Sequence, residues 1–427
     1  MAKAGKFDIE AVESALRTAV LSAGAKVLAG LLEGFGCGKR EHPMQCHCGS
    51  YMKSKGIEGK RLLTTMGEVS YLRSRYECPA CGETRYPGDE ELDIVGTSRT
   101  PGLRRMMARA GSRQPFKEAK EDLRVYAGLE VSAKDIERVA EGIGEHIETW
   151  QSAERETLLQ SEVPVPADKN IPVFYIEMDG TGVPMVKAET AGRKGKQPDG
   201  TAKTREVKLG CVFTQTARDE RGRPIREPAS TSFVGAIETA ERFGDRIEAE
   251  AMRRGLLAAR RVVVIGDGAA WIRGLCELRF PHALQIVDLY HAREHLANLC
   301  KLLFGCDEKK LSRYRLHWWT LLDEGNIEKI VLQAKEMLPS EIVTLQKVQT
   351  ELGYLEDNKN RMRYAAFRKQ GFFVGSGVIE AGCKSIVGAR LKQSGMEWSV
   401  RGANAIIALR CALLSERFED FWDSKAA

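Results

Sequence analysis

Long apolar runs and a decisive excess of either charge are what this 427-residue chain lacks, and each shortage narrows what it can be. No stretch approaches about 18 consecutive apolar residues. The mostly apolar run from residue 19 to 32 is interrupted by Ser22 and Lys26 and preceded by Asp8, Glu10 and Glu13, so neither a membrane span nor a signal peptide is expected. Lys and Arg number 65 against 59 Asp and Glu, and the resulting +6 permits a polyanionic partner without predicting one. The eleven cysteines are odd in number and scattered from Cys37 to Cys411 with one tight cluster. That pattern argues against a secreted disulfide framework and for a reducing cytoplasm. With 43% hydrophobic and 29% charged residues, the chain is neither disordered nor collagen-like. It reads as a soluble protein of several domains, since a single compact core seldom exceeds about 250–300 residues.

The cysteine cluster is the first feature with chemistry in it. Cys46-His47-Cys48-Gly49 and Cys78-Pro79-Ala80-Cys81-Gly82 bracket two strand-like stretches, 62–65 and 69–76, joined at Met66-Gly67. Thiolates one or two residues apart converge on a tetrahedral Zn²⁺, and the Gly after each pair lets backbone amides approach the sulfurs. The spacing predicts a structural zinc ribbon with Cys46, Cys48, Cys78 and Cys81 as ligands. The first pair is tighter than usual, which leaves His47, His42 or Cys37 open as a replacement ligand. With every position filled by protein, such a metal folds the module and does not catalyse.

An amphipathic helix precedes the ribbon, over residues 7–33, and residues 100–150 are helical by pattern. Phe116, Ala119 and Leu123 mark one helical face, 127–129 supplies a turn, and Ser132-Ala133-Lys134-Asp135 is a capping box opening a second helix. This suits a helix-turn-helix whose second helix shows Lys134 and Arg138 to a DNA groove, the alternative being an ordinary helical hairpin. The polar, proline-containing stretch at 163–166 reads as a linker.

Beyond it a new domain begins. Strands are expected at 173–179, 205–216 and 230–234, a helix at 238–254, a buried strand at 261–265, a short helix near 271–278, a strand at 284–287 and a helix from His291. Three strands, helix, strand, helix, strand, helix is the order of an RNase H-like (retroviral-integrase-like) α/β domain. Residues 300–372 interrupt it as an all-helical insertion, and Gly375-Ser376 opens a late helix containing Glu380. The expected organisation is therefore an N-terminal helix (1–43), zinc ribbon (44–88), helical DNA-binding region (89–160), catalytic domain (168–299), helical insertion (300–372) and the closing helices of the catalytic domain (373–427).

Asp179 ends the first strand of that domain and Asp267 follows the fourth, strands that an RNase H-like sheet makes neighbours; Glu380 lies on the late helix expected beside them. Like charges so placed raise one another's pKa unless a cation intervenes. Carboxylate oxygens suit two Mg²⁺ or Mn²⁺ ions, which clamp the attacking and leaving oxygens of a phosphodiester displacement. Around them, Arg193, Lys194, Lys196 and Lys203 lie in a glycine-bearing basic hairpin, while Lys384 and Lys392 are placed to meet phosphates. Trp398 is read either as a base-stacking platform or as core.

The strings Met178-Asp179-Gly180-Thr181-Gly182, Gly266-Asp267-Gly268, Asp288-Leu289-Tyr290-His291, Gly375-Ser376-Gly377-Val378-Ile379-Glu380 and Arg390-Leu391-Lys392-Gln393-Ser394-Gly395 resemble those of bacterial insertion-sequence DDE transposases of the ISKra group. The resemblance runs from the ribbon to about Trp422. It implies that Asp179, Asp267 and Glu380 are the metal-binding triad and that Asp288 and His291 form the accessory Asp-x-x-His element. It further implies that the N-terminal region binds the element's terminal inverted repeats, that target DNA is the second partner, and that a homodimer or larger assembly holds the ends in a bacterial, nucleoid-associated cytoplasm. Two rivals stand beside it. One is a zinc-ribbon regulator with an inactive scaffold; the other is a zinc peptidase carrying the His-x-x-Glu-His string at His291, Glu294 and His295.

Overall fold

The computed structural model describes residues 2–3, 6–160, 171–195, 197–305 and 307–426; the linker expected at 163–166 and Lys196 lie outside them. The chain divides into two compact units, Met1–Ile143 and Gly144–Ala427.

In the first unit a helix, α1 (Ile9–Phe35), is capped by Asp8, whose carboxylate accepts the Ala11 N–H. By length and composition alone α1 passes for a membrane span. One stripe of it, Ala25, Leu28, Ala29 and Leu32, instead covers Leu62, Val69, Tyr71 and Ile94 of the following hairpin. That hairpin, β1 (Lys53–Thr64) and β2 (Gly67–Glu77), is extended by β3 (Thr84–Arg85) into an antiparallel sheet. Three helices follow: α2 (Pro101–Arg113), α3 (Phe116–Ala127) and α4 (Ala133–Gln160), the last of which belongs to the second unit from Gly144 on. Leu103, Met107, Ala119, Leu123, Leu129, Val131 and Ile136 form their shared core. Gly128, in the left-handed region at φ 69°, ends α3, as a residue without Cβ can at no steric cost. The Ser132 hydroxyl accepts the Asp135 N–H at 3.0 Å. Asp135 does not reach back to complete a capping box; it pairs with Arg99 at 2.8 Å.

The second unit is built on a mixed sheet. A long hairpin, β4 (Val173–Pro184) and β5 (Thr204–Arg218), carries β6 (Pro224–Arg226) and β7 (Ser232–Ala236) on the outer edge of β5. The helix α5 (Ala240–Arg253) returns the chain to β8 (Val262–Gly266), which lies parallel to β4 on its other side. A further crossover through α6 (Ala270–Arg279) adds β9 (Leu284–Val287), parallel to β8. Leaving aside the short β6, the strands run across the sheet as third, second, first, fourth, fifth, with the second antiparallel to its neighbours. The hairpin pairs as far as Pro184↔Thr204, so β4 extends five residues beyond Asp179, where the expected strand stops.

Strand alternation gives the sheet two unlike faces. Phe174, Ile176 and Met178 point into an apolar cluster with Phe243, Ile247, Ile272 and Leu275. Tyr175, Glu177 and Asp179 occupy the other face. After β9 come α7 (Leu289–Phe304), then α8 (Glu308–Glu324), α9 (Ile327–Lys335), α10 (Ile342–Asn358) and α11 (Tyr364–Lys369), with Trp318, Leu322, Ile330, Val348 and Leu355 buried among them. Tyr364 fastens the end of this helical insertion to the sheet by donating to the Val287 carbonyl at 3.0 Å. The chain then enters α12 (Gly377–Gly382), a π-helical stretch (Cys383–Gly388), α13 (Val400–Leu414) and α14 (Phe418–Ala426).

Arg246 of α5 is buried and joined to Glu148 and Glu238, both at 2.7 Å. Removing the cation takes the partner of the nearly buried Glu238, while the more exposed Glu148 keeps Arg155 at 3.2 Å. Arg246→Met is expected to lower unfolding stability by about 3–5 kcal/mol, measured by urea denaturation; a loss below about 1 kcal/mol contradicts this assignment.

Candidate active site and metal centre

Asp179 and Asp267 are set beside each other by sheet register. Ile265 of β8 pairs with Glu177 of β4, so two residues further along, on the same face, stand Asp179, midway along β4, and Asp267, just past the end of β8. Asp179 is half-buried, and its pKa is raised first by burial and also by the charge of Asp267; the nearby His291 opposes this. The Asp179 carboxylate also accepts the Gly180 N–H at 2.7 Å. Asp267 is fixed by accepting the Ala269 N–H at 2.8 Å, while Tyr354 of the helical insertion donates to its main-chain carbonyl at 2.8 Å.

Glu380 arrives on α12. Cys383, three residues on and therefore on the same helix face, donates its thiol to Asp179 at 3.3 Å. Burial pushes that thiol's pKa up, and both Asp179 and Glu380 act on it electrostatically. Glu380 thus stands about one helical turn before the residue that contacts Asp179. Lys384 lies 3.9 Å from Glu380, and Lys392 donates to the Thr181 hydroxyl. The backbone passes into π-helical geometry at Cys383, a local widening that recurs at functional sites. The three carboxylates do not form a group with all ligand oxygens within 4.8 Å; among the described residues only the cysteine knuckles do. Carboxylate oxygens are the donors that Mg²⁺ and Mn²⁺ take in general.

Asp288 caps α7 by accepting the His291 N–H at 2.8 Å, and its other oxygen accepts the Ser376 N–H. Glu177, a residue the motif reading passed over, is fully buried two positions before Asp179 and accepts the Ile379 N–H at 2.8 Å. Burial pushes its carboxyl up to about 8; the Ile379 N–H opposes the rise and the charge of Asp288 adds to it. A glutamate inside an otherwise apolar strand was the available signal, because charged side chains are seldom fully buried without a task.

The peptidase string does not assemble. The His295 imidazole meets Glu351 at 2.6 Å and stacks on Tyr354 at 3.6 Å, His291 lies 3.4 Å from Glu294, and no third ligand joins them among the described residues.

The cysteine knuckles form a separate centre. Cys46 and Cys81 sulfurs lie 3.5 Å apart, as do those of Cys48 and Cys78, and all four fall within 4.8 Å of one another. Zinc–sulfur bonds of about 2.3 Å give tetrahedral edges of roughly 3.8 Å, so the donor set fits Zn²⁺. Each knuckle is a tight turn closed by main-chain bonds, Cys46 N–H to Ser50 O at 2.8 Å and Cys78 N–H to Glu83 O at 2.8 Å. Gly49 and Gly82 occupy the positive-φ corners at 87° and 74°. The Ser50 N–H draws the Cys48 pKa down to about 6. Of the alternative ligands, Cys37 and His42 join neither group of donors, and His47 joins one. Cys37 is engaged with Ser74 at 3.1 Å and His42 lies exposed, while His47 pairs with Glu83 at the rim, a second grouping with Cys46 and Cys81.

The residues expected on DNA fare unequally. Lys134 is exposed but bonded to Glu137 at 2.6 Å, and Arg138 is exposed on the same helix. Arg193, Lys194 and Lys203 are exposed and share the lining of a cavity of about 810 Å³ with Lys187. Trp398 is core: its indole N–H donates to the Leu391 carbonyl at 3.1 Å and the Arg390 guanidinium sits 5.0 Å over its ring, so it offers no face for stacking.

No protein-family model matches the chain. It is similar to the UPF0236 protein in the vanSb 3′ region of Streptococcus gallolyticus, 24% identical over 381 residues, covering 86% of this chain and 75% of that one. Two UPF0236 proteins of Caldanaerobacter subterraneus subsp. tengcongensis, whose names join eleven and four locus designations, are each 21% identical, covering 82% of this chain and 67% of theirs. Among solved structures, the Drosophila P element transposase strand transfer complex aligns over 77% of this chain and 83% of that one, at 11% identity and a TM-score of 0.25, too low to carry an argument.

The knuckle geometry predicts a single zinc per chain. Cys78→Ser is expected to release it and unfold the ribbon, read by a colorimetric zinc assay and by proteolysis of the region around residues 44–88. Full zinc retention in that variant contradicts the four-sulfur site.

Proposed function

We propose that this chain is a DDE transposase, a metal-dependent enzyme that binds the ends of an insertion sequence, cuts DNA strands and joins them to a target. The observation that carries the proposal is the placement of Asp179 in β4 beside Asp267, which follows the hydrogen-bonded parallel strand β8, with Cys383, one turn after Glu380, bonded to Asp179. The strand order third, second, first, fourth, fifth supports an RNase H-like reading of the sheet, and with it the ISKra-group resemblance. Relatives named by many loci in a single organism are what a gene that copies itself leaves behind.

In this reading Asp179, Asp267 and Glu380 hold two Mg²⁺ or Mn²⁺ ions, which when bound supply Lewis-acid stabilisation at the attacking and leaving oxygens of the phosphodiester. The chain's own residues do the rest. The Gly180 and Ala269 amides orient the two aspartates, Tyr354 pins the Asp267 backbone, and Lys384 and Lys392 sit where phosphates approach. Asp288 and His291 serve as the accessory element that fixes the start of α7 against the site. The zinc ribbon and the helices with Lys134 and Arg138 are the end-binding region, and two chains hold two ends. A regulator with an inactive scaffold has no need for three acids arranged in this way.

Glu380→Gln, Asp179→Asn and Asp267→Asn are each expected to leave binding to terminal-repeat DNA intact while lowering strand cleavage at least about a thousandfold, roughly 4 kcal/mol of barrier. A cleavage assay on supercoiled DNA bearing the ends, with Mn²⁺, reads this; near wild-type cutting by Glu380→Gln refutes the triad. Binding should also weaken steeply between low and physiological salt as phosphate contacts release counterions, and an affinity indifferent to ionic strength speaks against DNA as partner.

A further inference from the structure

We infer that Glu177, together with Asp288, is a positioning pair that sets where the third acid stands; this role rests on the reading of Glu380 given above. Ser376, at the cap position of α12, makes no side-chain capping bond. The free amides of that first turn are taken instead by residues remote in sequence. Glu177 of β4 accepts the Ile379 N–H at 2.8 Å, and Asp288 accepts the Ser376 N–H. The Leu289 N–H donates to the Val374 carbonyl at 3.0 Å, drawing the segment before α12 onto the start of α7. Gly375 fits closely there, since a β-carbon on it would meet the Tyr290 ring at 3.1 Å.

Two fully buried carboxylates are a costly way to secure one helical turn when a Ser or Asp cap suffices. Among the described residues one oxygen of Glu177 has no hydrogen-bond partner, which a purely stabilising design would avoid. What the arrangement adds is geometric. The strand that presents Asp179 also grips, two residues earlier and on the same face, the amide next to Glu380. The separation of the first and third acids is thereby fixed through one rigid strand, and Asp288 ties the same turn to the helix bearing His291.

The test uses the full-length protein and two readouts, hydrogen exchange of the 374–383 peptide and Mn²⁺-dependent cleavage. Glu177→Leu removes the acceptor; exchange in that peptide should quicken, cleavage should fall at least about tenfold and the Mn²⁺ concentration for half-maximal rate should rise. Glu177→Gln keeps an acceptor oxygen and should stay within about threefold of the parent on both counts. Should the leucine variant fail to fold, Glu177→Asp, one methylene shorter, should show the same changes in smaller degree. Unchanged exchange in Glu177→Leu, or faster exchange with unchanged cleavage and Mn²⁺ requirement, overturns the role. Glu380→Gln run alongside separates the two ideas: loss of cleavage with normal exchange supports the triad, and normal cleavage sinks the triad and this role with it.

Discussion

The burial of the Asp179 carboxylate beside Asp267 is the constraint on which the site of the second unit depends. Backbone pairing between β4 and β8 runs to Ile265 and Glu177, two residues before Asp267 and Asp179. Desolvation then makes the Asp179 anion costly, as the upward shift of its pKa records. A protein that holds charges in this way either loses them to protons or balances them with cations. Of the nearby lysines, Lys392 bonds to Thr181 and Lys384 approaches Glu380.

The elements around that edge divide the labour. The apolar face of the sheet, packed against α5 and α6, supplies rigidity. The opposite face gives up apolar burial at Glu177 and Asp179 to accommodate a short helix and a π-helical turn. The helical insertion does more than fill space, because Tyr354 and Tyr364 reach back to the main chain at Asp267 and Val287. In the other unit, the knuckles solve a different problem. A short sheet with a small core needs a staple, and four sulfurs provide the place for one.

Much of this was legible in the residues. Apolar alternation and helical periodicity located the strands and helices of the second unit to within a few residues, because those segments are long and regular. The cysteine spacing named all four sulfurs, and only their three-dimensional convergence could exclude Cys37 and His42. Other features were not readable. Glu177 looked like one charge in an apolar strand, since its partner amide lies 202 positions away. Cys383 looked like a core residue one turn past Glu380, and its bond to Asp179 depends on how α12 docks. Trp398 carried two readings because an aromatic after a glycine turn packs or projects according to neighbours that no local pattern names. The Asp135 carboxylate went to Arg99 because a charged partner outcompetes a backbone amide for the same oxygen.

The central claim is that Asp179, Asp267 and Glu380 together bind divalent metal. Crystals grown with Mn²⁺ and measured for anomalous scattering at the manganese edge test it most directly. The account predicts anomalous peaks bounded by the carboxylates of these three residues, lost when Asp179 is replaced by Asn. Manganese bound only elsewhere, with the three carboxylates bare at saturating metal and a cleavable DNA end present, contradicts it.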